Sequence, residues 1–190
     1  MWETIVVDDG SRLPFPGARI RHAISQGYGA ALKAGIAIAK GEWIVTMDGD
    51  GQHRLRDIYR LVEFMEEFPE NAMVIGDRRL QETGIRLWGR KGLNWTASLF
   101  AGRWINDLNS GLRIFRREVA LGYFPLLSNG FSFTTSLTLA MLADHYAVDW
   151  LPIRVQPRPY GVSKVHPWRD GWTTLQRIVW IGGALRTRTV

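Results

Sequence analysis

Apolar residues run along this chain in two rhythms. Short unbroken runs that stop at acidic or glycine-rich turns read as buried strands, and longer stretches with apolar residues three and four apart read as helices. Ile5-Val6-Val7 is the first run and stops at Asp8-Asp9-Gly10-Ser11. Leu13 to Gly17 carries two prolines and is predicted as loop. Gly27 to Lys40 is rich in Ala and Gly with Leu32, Ile36 and Ile38 between them, which predicts a helix packed close against a neighbour. Trp43 to Met47 is a second buried strand and stops at Asp48-Gly49-Asp50-Gly51. Leu55 to Phe68 places Ile58, Leu61, Val62 and Met65 on one helical face. A third strand is predicted at Ala72 to Ile75, a helix at Ile85 to Phe100, and a strand at Leu112 to Phe115. A helix over Phe131 to Tyr146, a strand over Ala147 to Val155 and a proline-rich loop to Pro167 follow. An amphipathic helix over 167–186 closes the chain. Alternating strands and helices predict an α/β fold with a mainly parallel sheet. No repeat, linker or low-complexity tract interrupts it, so 1–190 reads as one domain.

Composition narrows the chemistry. Cysteine is absent, which excludes disulfides, thiolate metal sites and a cysteine nucleophile. The four histidines, His22, His53, His145 and His166, are too scattered for a zinc hydrolase pattern. The longest apolar run, Ile178 to Leu185, is far shorter than the ~20 residues that span a bilayer, and the first residues lack the basic-then-apolar pattern of a signal peptide. The net charge is +6, carried by 20 Arg and only 4 Lys. Arginine is the better fork for phosphate, so a basic surface of this kind suits a phosphorylated ligand or an anionic lipid. No basic patch interleaved with stacking aromatics is present, and nucleic acid is not expected as a partner.

In parallel sheets ligands gather beyond the carboxyl ends of the strands, and two acidic turns fall there. Asp48-Gly49-Asp50 follows an apolar strand, is flanked by glycine, and leads into Gln52-His53. Two carboxylates one residue apart at such a turn can share a hard cation, Mg²⁺ or Mn²⁺, that bridges to a diphosphate. Asp8-Asp9-Gly10-Ser11 reads either as a plain turn or as an acceptor for the N–H edge of a base. Gly27-Tyr28-Gly29 is no dinucleotide fingerprint, because the third glycine position holds Leu32; packing explains it better. Arg158 to Lys164 sets two cations, a glycine and a hydroxyl in seven residues, a clamp for diphosphate. Asp107 to Arg113 brings a carboxylate near a turn and an arginine into a strand. On the closing helix Trp168, Trp172, Leu175 and Val179 share a face with arginines around it, which suits either a membrane interface or the domain core.

Taken together these segments resemble the family 2 glycosyltransferases with a GT-A fold, a Rossmann-like sandwich, and within them the polyprenyl-phosphate sugar transferases of the dolichyl-phosphate mannose synthase type. The likeness rests on Val7 to Ser11, Gly27 to Gly35, Gly41 to His53, Asp107 to Arg113 and Arg158 to Lys164, and runs from residue 4 to about 172. The resemblance implies an inverting, metal-dependent transfer of a sugar from a UDP- or GDP-sugar to a polyprenyl phosphate. It places Val7, Asp8 and Asp9 at the base, and Asp48, Gly49, Asp50 and Gln52 at the donor. Asp48 and Asp50 would hold Mg²⁺ or Mn²⁺, and Arg158 and Lys164 would grip the diphosphate. Arg78, Arg79, Arg90 and Ser110 would face the acceptor phosphate, and Asp107, Asp50 and Arg113 would sit at the reacting centre. It further implies a cytoplasmic protein peripheral to the membrane.

The sequence departs from that family pattern at its start. The family's first strand, with its Pro-x-Tyr-Asn-Glu segment, has no counterpart, and Arg12 to Ala18 replaces a helix. A strand edge left open in this way is expected to let copies of the chain pair as a homo-oligomer. Two other readings stand beside the leading one: an inactive member that binds nucleotide, membrane or a partner, and a transferase acting on a soluble saccharide.

Overall fold

The computed structural model describes residues 2–78, 85–157 and 167–186. A main sheet of four strands holds β3 (Trp43–Thr46), β5 (Arg113–Arg116), β4 (Asn71–Asp77) and β6 (Ala147–Pro152), in that spatial order. β4 and β6 pair in parallel, while β5 runs antiparallel to both β3 and β4. Three of the four strands therefore share a direction, and the mainly parallel expectation holds with β5 as its exception. A separate parallel pair joins β1 (Val7–Asp9) to β2 (Ile20–His22). Strand pairing does not connect this pair to the main sheet. The link is α1 (Tyr28–Ile38), which packs on β1 and on α4 (Arg117–Gly122) and α5 (Phe133–Ala143).

Alternation along the central strands builds a layer on each face. On β4, Met73 and Ile75 point to one side and Val74 to the other. Phe115 and Ile114 of β5 divide in the same way. α2 (Leu55–Glu67) covers the Val74 side with Leu61 and Met65, one turn apart. α5, α3 (Ile85–Ala101) and α6 (Pro167–Arg186) cover the opposite side, mutually packed. All seven residues of β4 and ten consecutive residues of α5 are buried, so these two elements form the centre of the domain.

Two elements differ from the sequence reading. β2 and α4 were not predicted; one has three residues and the other six, too few for any periodicity to register. The closing helix turns two residues of its expected stripe away from the core. Thr174, Ile178 and Ile181 pack inward, while Trp172 and Val179 of the expected stripe face outward. α6 therefore docks on the core by one stripe and keeps a second apolar stripe exposed.

The glycines before and in α1 have a packing role. Gly27 has φ +106°, and a Cβ there would lie 2.5 Å from the Asn129 carbonyl oxygen. A Cβ on Gly29 would overlap the carbonyl oxygen of Ser128. α1 thus lies directly on the 128–130 segment. Lys33 ties it there by donating to Leu127 O at 2.6 Å and Asn129 Oδ1 at 2.9 Å.

Candidate active site

The reversed strand decides where the site lies. Thr46 of β3 and Ile75 of β4 both pair with Arg113 at the start of β5. Asp48 and Arg78, two and three residues further on, therefore leave the sheet at the same level. Because β5 runs the other way, the segment preceding it, Asp107 to Leu112, arrives at that same edge. Thr46 Oγ1 donates to Gly111 O at 2.9 Å and Gly76 N to Leu112 O at 2.9 Å, which stitches the segment down.

The Asp48 turn is open and ionised. Asp48 lies against Gly111, where an added Cβ would come 2.5 Å from Asp48 Oδ2. Burial opposes its charge, but His53, Tyr28 and Arg78 outweigh it and hold the carboxyl below its ordinary range. His53 Nε2 is 3.9 Å from Asp48 Oδ2. Among the described residues His53 Nδ1 and Tyr28 Oη are buried without a hydrogen bond of good geometry, although the Tyr28 hydroxyl lies close enough to Asp48 to favour its charge. Burial first, and the Asp48 charge second, push the Tyr28 hydroxyl pKa upward. Gly49 has open space around it, and Gly51 turns the chain with φ +74°. Asp50 Oδ1 accepts Gln52 N at 3.1 Å. The described residues hold no cluster of three or more metal-ligating side chains. Two carboxylates on an open turn nevertheless fit a hard divalent cation whose shell would be completed by diphosphate oxygens and water.

Gln52 joins this turn to the segment that follows β6. Gln156 N donates to Gln52 O at 2.8 Å, and Gln52 Nε2 donates to Gln156 O at 3.0 Å. Its side-chain amide, expected beside the sugar, is used here on the chain itself.

Asp107 and Arg78 form the second half of the edge. Asp107 is fully buried and accepts Arg78 Nε at 2.8 Å and a terminal guanidinium nitrogen at 3.0 Å. It also accepts the backbone N–H of Arg78 at 3.3 Å and of Asn109 at 3.2 Å. A bidentate pair of this kind fixes the plane of the guanidinium. The Arg78 side chain keeps 22 % of its surface exposed, so part of it remains open to a ligand. Asp107 has no exposed surface, so any part it takes in the chemistry would run through Arg78.

Two expected site residues are interior. Arg113 is fully buried and donates to Ser110 O (3.0 and 2.6 Å), Leu108 O (3.3 Å), Thr134 O (3.1 Å) and Thr138 Oγ1 (3.0 Å). Burial lowers its pKa to about 10, which leaves it charged at neutral pH. It shapes the 108–110 turn from beneath and does not reach the cleft. Ser110 is equally buried, its hydroxyl 3.5 Å from Leu112 O, and does not face a phosphate.

At the first acidic turn the carboxylates serve the fold. Asp9 accepts His22 Nδ1 (2.6 Å), Ser25 Oγ (2.8 Å), Gln26 N (2.9 Å) and Gly27 N (2.9 Å). Partial burial would raise its pKa, yet these bonds bring it down to about 2. Asp8 accepts Ser11 N at 2.8 Å and Phe15 N at 3.2 Å, with Arg21 3.7 Å away. Hydrogen bonds from Ser11 lead in holding its pKa down. Val7 is half-buried in β1 and packs toward Gly35. Arg79, Arg158 and Lys164 lie outside the described residues, and of Arg90 only the backbone, on α3, is described. Sequence reasoning gave no role to Tyr28, His53 or Gln156. The first two stand inside motifs it singled out; Gln156 carries no local signal. A separate groove of about 460 Å³, lined by Glu118, Tyr123, Asp144 and Tyr146 among others, opens at the opposite edge of the sheet.

The architecture is that of the GT-A transferases. The chain superposes on glucosyl-3-phosphoglycerate synthase from Mycobacterium tuberculosis, crystallised with Mn²⁺, UDP-glucose and phosphoglyceric acid, with a TM-score of 0.67. That match covers 94 % of this chain and 68 % of the other at 18 % identity, and it speaks for the fold alone. Residues 1–124 match the family described as Glycosyl transferase family 2, and the chain belongs to that family. It is 31 % identical to polyprenol monophosphomannose synthase of Mycolicibacterium smegmatis, over 85 % of this chain and 69 % of that one. It is 27 % identical to undecaprenyl-phosphate 4-deoxy-4-formamido-L-arabinose transferase of Pseudomonas syringae pv. syringae, over 88 % of this chain and 52 % of the relative. This protein is thus a glycosyltransferase whose relatives carry sugars on polyprenyl phosphates.

Proposed function

We propose that this glycosyltransferase moves a sugar from a nucleoside-diphosphate donor to a polyprenyl phosphate at a membrane surface, inverting the anomeric carbon in one displacement. One observation carries the reading. An ionised carboxylate turn, Asp48 to Asp50, and a guanidinium locked in plane by a buried carboxylate, Arg78 on Asp107, stand at one level of one sheet edge. The first suits a metal-bound diphosphate and the second a phosphate monoester.

Asp48 and Asp50 would hold Mg²⁺ or Mn²⁺, which when bound supplies charge neutralisation to the leaving diphosphate. Arg78 orients the acceptor phosphate by its exposed guanidinium surface, and Asp107 keeps that guanidinium from swinging away. The acceptor is already anionic, so no strong base is needed. Its phosphate oxygen bonds to the anomeric carbon as the bond from that carbon to the diphosphate oxygen breaks. The nucleoside diphosphate leaves with the electron pair, and no proton need move. Arg158 and Lys164 would add cations at the diphosphate. With the carboxylates of Asp8 and Asp9 engaged by the chain, the β1 turn would meet a base through its backbone and shape.

The test is calorimetric titration of UDP-glucose and GDP-mannose with Mn²⁺ and then with EDTA, on this chain and on Asp50→Ala, followed by transfer to a prenyl phosphate. Binding that requires both metal and Asp50, with sugar reaching the lipid phosphate, is the expected result. Transfer to a free saccharide in preference to the lipid phosphate would overturn the acceptor, and a folded chain that binds no donor would overturn the activity.

A further inference from the structure

Only one residue between Asp107 and Leu112 keeps exposed surface. Five of the six are buried, and Asn109 is the exception. Its chain neighbours mark its position. Two residues before it Asp107 grips Arg78, and two residues after it Gly111 lies against Asp48. Asn109 therefore stands between the guanidinium and the carboxylate turn, on the strip of backbone that joins them.

Folding uses only half of this side chain. The turn is made without it: Asp107 Oδ1 accepts Asn109 N at 3.2 Å, and Arg113 holds the flanking carbonyls of Leu108 and Ser110 from beneath. Asn94 Oδ1 fixes Leu108 N as well. Asn109 Oδ1 accepts Thr135 Oγ1 at 2.7 Å, from a fully buried threonine in the first turn of α5, 26 residues away. The hydroxyl thus fixes which end of the amide faces α5. The other end, Nδ2, carries two N–H donors and has no hydrogen-bond partner among the described residues.

We infer that Asn109 reads the transferred sugar, donating from its side-chain amide to one hydroxyl oxygen of the ring and so setting which sugar is moved. The inference rests on the donor and acceptor proposed above. On that reading the charged groups of the edge answer the two phosphates: the carboxylates answer the diphosphate through a metal, and Arg78 answers the acceptor. Between two phosphates in this reaction lies the sugar, which is uncharged and rich in hydroxyl oxygens. A neutral pair of donors between the charged groups matches it. Thr135 has already fixed the plane of the amide, so less ordering is left to be done when the sugar arrives. Thr135 acts through Asn109, as a positioning residue. A group of this kind discriminates strongly, because a donor lacking the matching hydroxyl leaves it without its bond.

The experiment compares the wild type, Asn109→Ala and Thr135→Val. Calorimetry with Mn²⁺ measures binding of UDP, GDP, UDP-glucose and GDP-mannose, and of the 2-, 3-, 4- and 6-deoxy forms of whichever sugar nucleotide binds more tightly. Transfer to a prenyl phosphate gives kcat/KM for the same donors. Asn109→Ala should lower kcat/KM on the parent donor about tenfold, as loss of one hydrogen bond requires, with free nucleotide binding and melting temperature as in the wild type. One deoxy donor should lose about as much with the wild type and nothing further with Asn109→Ala, while the other deoxy donors lose equally with both proteins. Thr135→Val should narrow the same discrimination by a few-fold. Equal losses in wild type and Asn109→Ala with every deoxy donor overturn the contact. A lower melting temperature with discrimination unchanged overturns it in favour of a structural tie to α5. The two readings fail separately: discrimination that depends on Asn109, with the sugar passing to a free saccharide, would support the contact and remove the lipid acceptor. A folded wild type that binds neither nucleotide nor sugar nucleotide overturns both.

Discussion

The two acidic turns of this chain look alike as sequence and are used in opposite ways. Each follows a short apolar strand, and each offers two aspartates beside glycine. At the β1 turn Asp9 meets four donors from its own chain, two of them backbone N–H groups that shape the approach to α1. At the β3 turn Asp48 lies against a glycine, with Tyr28 and His53 favouring its charge, and among the described residues His53 Nδ1 and Tyr28 Oη make no hydrogen bond of good geometry. The first turn has its polar capacity used up by folding. The second is open on its Gly49 side, where we propose that the donor's metal binds. A buried polar atom without a partner costs free energy, so an arrangement that leaves two beside one carboxylate is stabilised when a ligand fills the turn.

This contrast can be broken by substitution. Asp50→Ala should lower transfer by roughly 10²–10³-fold, in the range found for removing a preorganised electrostatic group, while the denaturant midpoint stays put. A parallel loss of fold would mean the second turn is structural after all. Asp107→Asn should do both things at once. It removes the charged partner of Arg78 from a fully buried position, at about 3 kcal/mol in urea unfolding, and slows transfer to the lipid phosphate. Unchanged stability would show that Arg78 finds another anchor.

Asp9→Asn should reverse the pattern of Asp50→Ala: about 2 kcal/mol of stability lost, with metal binding intact. Its acid dependence has a definite sign. Asp9 titrates at about 2 when folded, against an ordinary value of 3.8. Its ionised form therefore stabilises the fold fully above about pH 4, and that contribution fades as pH falls through 2. Acid unfolding followed by circular dichroism should show this loss in the wild type and a flatter curve in the variant. The smaller effects sharpen the second turn. Gly111→Ala would push a methyl group into Asp48 and should weaken Mn²⁺ binding roughly tenfold by paramagnetic resonance. Tyr28→Phe should weaken it less, by a few-fold; an unchanged affinity would show that Tyr28 serves only to stack on Phe131, whose ring centroid lies 5.6 Å from its own.

The sequence made much of this legible, and the remainder has physical reasons. The stripe of α2 and the apolar run of β4 declared themselves, because period and burial are local properties. The Asp48–Asp50 turn was legible from its setting after a strand. What escaped was whatever depends on chain direction or distance. Nothing within Arg113 to Arg116 announces that it runs antiparallel, yet that reversal brings Asp107 to Arg78 across 29 residues. Arg113 looked like a group entering an active site and is instead enclosed by carbonyls and threonines. Asp9 looked like a ligand for a base and is closed around by residues up to 18 positions away. Charge and spacing identify a functional type of side chain; they do not tell which neighbour reaches it first.

The reversed strand has one further consequence. The carboxylate turn comes from the chain before residue 71, and the segment bearing Asp107 re-enters from the other direction, after α3. The two halves of the cleft thus meet along a seam, marked by the bonds from Thr46 to Gly111 and from Gly76 to Leu112 and by Asp48 lying against Gly111. A seam of that kind divides the protein into exchangeable cassettes. On the proposed reading, the exposed face of α3 can change in character, and so in the acceptor it admits, without rewriting the turn that would hold the donor.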